Sequence, residues 1–219
     1  MKRVLWILLA LMLLVPCAAP ALEAGDTLLF GSYEQDNNLS NGKEPIEWVV
    51  VDRDEEGVML MSVKCLDAHY YHKKFIPMTW DRCDLRGWLN GEFLNEAFSE
   101  VEQEYILTTH VVNNKLHGNS GGEDTEDKVY LLSYAEAMDH YPELKQRVAW
   151  PTEYCVARGC YVDPKTGACW WWLRSPGVRP IDASGVRVDG RISGYGSRDV
   201  YRPSGAIRPV IRVKPEVEE

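Results

Sequence analysis

Basic residues are scarce in this sequence: 24 lysines and arginines stand against 33 aspartates and glutamates, a net charge of −9. Non-specific nucleic-acid binding needs a basic surface, so that class of function is excluded. Long apolar runs are lacking too. The longest, Val4 to Val15, falls well short of the ~20 residues that a membrane-spanning helix requires. No Cys-x-x-Cys pair is present to seed a thiolate metal site. No Ser-His-Asp arrangement is readable. The five histidines are scattered. His69 and His72 alone lie close enough to share a metal, but Tyr70, Tyr71, Lys73 and Lys74 around them read as an exposed strand or loop. Neither a metal nor a cofactor is expected. Internal repeats, low-complexity tracts and a linker long enough to divide two domains are all missing.

What is present begins with Met1-Lys2-Arg3, an apolar stretch, and Pro16-Cys17-Ala18-Ala19-Pro20-Ala21. A short basic head, an apolar core and a small-residue exit describe a secretory signal. The expected division is a signal peptide over 1–21 and one globular domain over 22–219, secreted or associated with the cell envelope. No transmembrane segment is expected to remain after cleavage. Cys17 raises the alternative of a lipid-anchored protein, against which Pro16 argues, and an uncleaved anchor is the other alternative. Without Lys2 and Arg3 the balance deepens to 22 basic against 33 acidic residues, −11. The charge is also uneven, because Trp170 to Lys214 carries nine basic residues and three acids. Export permits disulfides, and Cys160 and Cys169 flank the turn-forming Asp163-Pro164-Lys165-Thr166-Gly167. A Cys160–Cys169 bridge across a hairpin is therefore expected. With five cysteines after the signal, at least one thiol is left over.

The first third reads as strands: Thr27 to Gly31, then Ile46 to Val51 and Val58 to Val63 as a hairpin around a charged loop ending in Gly57. Leu85, Trp88, Leu89, Phe93, Leu94 and Ala97 recur at helical spacing, with Thr79 as the expected cap. Ser133 to Glu136 is a capping box, and a short helix from Thr152 is stopped by Gly159. Strands return at Trp170 to Arg174, at Gly185 to Ser193 as a tight Asp189-Gly190 hairpin, and at Ile207 to Val213. In that last strand Pro209 must sit at an edge or a start. Strands, helices, then strands again is an α+β pattern, with an antiparallel sheet joining both ends.

Trp171-Trp172-Leu173-Arg174-Ser175-Pro176-Gly177 and Gly205-Ala206-Ile207-Arg208-Pro209, with Phe30-Gly31-Ser32-Tyr33 and Leu85-Arg86-Gly87-Trp88-Leu89-Asn90, resemble a family of uncharacterised exported bacterial domains. That resemblance spans nearly all of the chain after the signal and implies no activity. More distantly, Arg147 to Tyr154 and the Gly205 to Pro209 segment are similar to formylglycine-generating-enzyme domains. This likeness implies a C-type-lectin-like fold, in which N- and C-terminal strands pair and helices pack alongside. It stops short of the oxidase reaction, because no cysteine follows Cys169. Calcium-lectin triplets are lacking as well: Glu44-Pro45-Ile46 places isoleucine where an oxygen ligand should be. The acidic run Glu123, Asp124, Glu126 and Asp127 reads as a solvated loop.

The residues singled out for binding are Trp171, Arg174, Tyr195, Arg198, Asp199, Tyr201 and Arg202. Trp170, Trp171 and Trp172 alternate faces on a strand, so at least one is expected to point outward. Outward tryptophan beside arginine stacks sugars or anchors a protein. Tyrosine, arginine, serine and glycine in the 193–205 loop have the composition of binding loops. The bland alternatives are Trp171 in the core and Arg174 and Arg208 as internal clamps on strand ends or carboxylates. The expectation is a binding module for a glycan, a cell-wall component or a protein. The alternatives are an extracellular hydrolase with unidentified carboxylates and a purely adhesive domain.

Overall fold

The computed structural model describes residues 22–193 and 199–215. In chain order the strands are β1 (Thr27–Tyr33), β2 (Glu44–Arg53), β3 (Val58–Ser62), β4 (Asp67–His69), β5 (Thr109–Val111), β6 (Thr125–Asp127), β7 (Val129–Tyr130), β8 (Trp171–Pro176), β9 (Ala183–Val186), β10 (Ile192–Ser193), β11 (Gly205–Ile207) and β12 (Val210–Val213). The helices are α1 (Asp84–Trp88), α2 (Leu94–Ala97), α3 (Glu100–Tyr105), α4 (Tyr134–His140), α5 (Leu144–Arg147) and α6 (Glu153–Ala157). One five-stranded sheet runs β1-β2-β3-β12-β7 and the other β10-β9-β8-β11-β4, with β5 and β6 paired apart. The architecture is mixed α+β, dominated by sheet. Among the described residues no helix is long and apolar enough to cross a membrane.

The two sheets are joined through Arg208-Pro209, and here the expected continuous strand from Ile207 to Val213 divides. β11 pairs with β4 and β8 in one sheet, and β12 pairs with β3 and β7 in the other. Pro209 has no N–H to give a ladder, so it stands just ahead of β12 and its carbonyl accepts from Ser62 N at 2.9–3.0 Å spacing typical of a sheet bond, 3.0 Å here. The buried Arg208 side chain spans the break, with Nε donating to the Ser62 carbonyl at 2.8 Å.

The tryptophan strand corrects a second expectation. Trp170, Trp171 and Trp172 are all buried, none above 4 % exposed. Alternation does separate them, but both faces of the strand are covered. Trp171 donates to the Arg147 carbonyl at 3.0 Å and lies under the Arg208 guanidinium. On the other face Trp170 and Trp172 meet edge to face at 4.7 Å, and Trp172 donates to the His69 carbonyl at 3.0 Å. Trp171 is therefore a core residue.

Local signals fared unevenly. Ser133 and Glu136 close a reciprocal capping box on α4, and the Thr152 hydroxyl caps α6 by accepting from Cys155 N at 3.0 Å. Thr79 caps nothing. Its hydroxyl donates to Asp81, a short 3₁₀ turn over Trp80–Arg82 intervenes, and α1 starts behind Cys83. The expected two-residue turn at Asp189-Gly190 is wider, because β9 and β10 pair only as far as Val186 and Ile192. Gly190, at φ +80°, is drawn off to accept from Arg147 Nε at 2.8 Å. α1 and α2 are joined by a single π-helical turn, Leu89–Phe93, a feature frequent at functional sites.

Candidate functional site

A groove of about 490 Å³ opens where β4, α1 and the π turn meet the chain entering β11. Its walls carry His69, Tyr70 and Lys73 from β4 and the residues after it, and Asp84, Trp88 and Glu92 from the helical side. Arg158 and Pro203 close its ends. The half-buried Trp88 indole packs on the His69 imidazole with ring centroids 4.0 Å apart and the planes tilted by 32°. Tyr201, 48 % exposed, packs against Tyr70 at 5.0 Å and extends the aromatic surface toward solvent.

Beneath this surface lies the buried carboxylate of Asp67. Oδ2 accepts from the Tyr33 hydroxyl at 2.7 Å, and Oδ1 accepts from its neighbour Ala68 N at 2.6 Å and from Arg158 Nε at 3.2 Å. His69 Nε2 stands 3.7 Å from Oδ2, an ion-pair distance too long for a hydrogen bond. Burial pushes the Asp67 carboxyl up, but His69, the Tyr33 hydroxyl and the Ala68 amide outweigh it and hold it below its ordinary value. The same carboxylate holds Arg158 firmly protonated. His69 Nε2 is buried without a hydrogen-bond partner among the described residues, facing the Asp67 carboxylate beneath the groove.

A depressed native pKa stabilises the fold fully above the unfolded value of about 3.9, and that stability is lost as pH falls through the lower folded value. Asp67→Asn should therefore lower stability at pH 7 by about 1–3 kcal/mol and flatten the loss of stability below pH ~4. Urea denaturation across pH 3–7 checks this; parallel curves for wild type and variant would contradict it.

The residues selected from sequence separate into three groups. Arg174 is internal, 4 % exposed, with its guanidinium forked onto Glu136 and further bonds to the Leu131 and Val112 carbonyls. It and Trp171 are interior side chains that hold the fold together. Tyr201 borders the groove, whereas Asp199 and Arg202 pair with each other at 3.4 Å beside it. Tyr195 and Arg198 lie outside the described residues. The cysteines Cys160 and Cys169 are both buried thiols with no disulfide between them, and their sulfurs donate instead to the Tyr161 and Ala149 carbonyls. Sequence reasoning missed the groove's principal wall. Its signal was the His69-Tyr70-Tyr71-His72 run, which puts two aromatic and two imidazole rings on one short strand and its exit.

Elsewhere, Glu34, Asp36 and Glu44 bring carboxylate oxygens within 4.8 Å of one another. Amides of their own loop occupy those oxygens: Asn38 N reaches Glu34 and Asp36, Asn41 Nδ2 reaches Asp36, and Gln35 N reaches Glu44. The trio is an element of loop structure.

Residues 55–215 match a family described as a domain of unknown function, DUF6273. The chain belongs to that family. No curated protein and no solved structure matches it. The part matched to DUF6273 contains every groove-lining residue named above, so the groove is built wholly from the family domain.

Proposed function

We propose that this DUF6273 chain is a secreted or envelope-associated binding module whose groove receives a saccharide ring. The observation that carries the reading is the Trp88–His69 ring contact with Asp84, Glu92, Lys73 and Arg158 lining the same groove. Pyranose rings present an apolar C–H face and a rim of hydroxyls. An indole covers the first, while carboxylates and a guanidinium exchange hydrogen bonds with the second. A cell-wall glycan or a glycosylated protein would offer the same chemistry. A C-type-lectin-like reading of the architecture is supported by β1 and β12 sharing one sheet, with short helices packed beside the strands.

A glycan and cell-wall array probed with the purified protein tests this. Wild type should bind a discrete set of saccharides. Trp88→Ala should weaken that binding by about 10-fold or more, the worth of a buried aromatic contact, and Tyr201→Ala should weaken it less. Equal binding by wild type and Trp88→Ala would sink the proposal, as would no binding to any saccharide. A hydrolase is the second reading, because Asp84 and Glu92 face the same groove. Turnover of a bound glycan, abolished in Glu92→Gln with binding retained, would favour it.

A further inference from the structure

Four of the five buried cysteines form a string. Their side chains lie close enough to shift one another's titration: Cys160 acts on Cys155, Cys155 and Cys169 act on Cys160, and Cys160 and Cys65 act on Cys169. No three of these sulfurs converge: among the described residues the set of ligand atoms close enough to share one ion is the carboxylate trio above. The string therefore offers pairwise chemistry in place of a tetrahedral thiolate cage.

The backbone selects one pair. α6 ends in a Schellman motif, with Gly159 in the left-handed region at φ +101°. Gly159 N donates to the Val156 carbonyl at 2.9 Å and Cys160 N to the Cys155 carbonyl at 3.2 Å. This closure brings the side chain two residues past the helix end against the one in its last turn, and here those side chains are Cys160 and Cys155. Cys169 lies instead across the hairpin, held by Ala149 and Val162. We propose that Cys155 and Cys160 form a redox-reversible disulfide across the end of α6, distinct from the Cys160–Cys169 bridge that the turn sequence suggests.

Cys160 is the entry point, being 7 % exposed where Cys155 is fully buried. The neighbouring Cys155 and Cys169 thiols push the Cys160 thiol down, and the Cys160 contact together with burial pushes Cys155 up, so Cys160 is the readier of the two to lose its proton. The oxidant is an external disulfide such as oxidised glutathione. The Cys160 thiolate attacks it, forming a mixed disulfide and releasing one thiolate. Cys155 then gives up its proton, attacks the Cys160 sulfur and expels the second thiolate. Two protein thiols and one disulfide become one protein disulfide and two small thiols. The exchange replaces the bond that the Cys155 thiol donates to the Asp67 carbonyl at 3.1 Å.

The test is disulfide mapping after equilibration in a glutathione redox buffer, with acid quenching, alkylation and non-reducing trypsin digestion. Cleavage after Arg158 and Lys165 places Cys155, Cys160 and Cys169 on separate peptides. The expected product is the Val148–Arg158 peptide linked to Gly159–Lys165, with Cys65, Cys83 and Cys169 alkylated, and the same link persists in Cys169→Ser. A link from Gly159–Lys165 to Thr166–Arg174 would overturn the proposal. So would alkylation of all five cysteines, or loss of the Cys155–Cys160 link in Cys169→Ser.

Discussion

Arg174→Ala should lower the free energy of unfolding by about 3–5 kcal/mol, the cost of breaking a buried ion pair from one side. The guanidinium is 4 % exposed and holds the Glu136 carboxylate by two hydrogen bonds, the longer of them 2.7 Å. It also donates to Leu131 O at 2.7 Å, bracing the chain just after β7 against β8. Glu136 has a second duty, since its Oε2 accepts from Ser133 N at 2.7 Å as part of the α4 capping box. Burial pushes the Glu136 carboxyl up, but Arg174 and Ser133 hold it below its usual range, so it is charged at neutral pH and would be left uncompensated. A loss of that size is a large share of the 5–15 kcal/mol typical of a whole domain. The double variant Arg174→Met with Glu136→Leu should recover much of it, because the charge left behind is removed as well. Urea denaturation of the single and double variants decides the point. A loss under about 1 kcal/mol in Arg174→Ala would place the pair among ordinary surface ion pairs.

Gly205→Ala should cost about 2–4 kcal/mol and lower Tm by roughly 5–15 °C. This glycine has no unusual φ; its reason is space. A Cβ there would stand 2.0 Å from Trp172 Nε1, 2.5 Å from its Cε2 and 2.7 Å from Trp170 Cη2. Both rings are buried and locked edge to face, so neither has somewhere to go. Displacing Trp172 also breaks its 3.0 Å bond to the His69 carbonyl. His69 lines the groove, so the variant should lose saccharide binding beyond what its stability explains. Thermal melts combined with binding measured well below Tm would separate the two effects. An unchanged Tm would contradict the packing argument.

Much of the self-contained local chemistry was legible in the sequence. The capping box at Ser133 and Glu136, the β2–β3 hairpin and the glycine stop after α6 each depend on residues a few positions apart, and each stands in the structure. Tertiary competition explains the differences. Thr79 has the right type for a cap, but its hydroxyl is taken by Asp81. Gly190 has the right type for a tight turn, but Arg147 claims its carbonyl. α3 has no buried residue and so no apolar stripe, and its one local signal, the Ser99–Glu102 capping box, was missed. Three consecutive tryptophans promised one outward ring, and a sheet covered on both faces removed that promise. The C-terminal loop did reach the groove through Tyr201 and Pro203. Its opposite wall depends on β4 meeting α1, a pairing that no short-range pattern encodes.

The most direct test of the groove as the ligand site is a crystal structure of the protein soaked with the tightest-binding saccharide from the array. The account predicts a sugar ring against Trp88, with its hydroxyls within hydrogen-bond reach of at least two of Asp84, Glu92, Lys73 and Arg158. A saccharide bound elsewhere on the domain, with the groove unchanged, would contradict it.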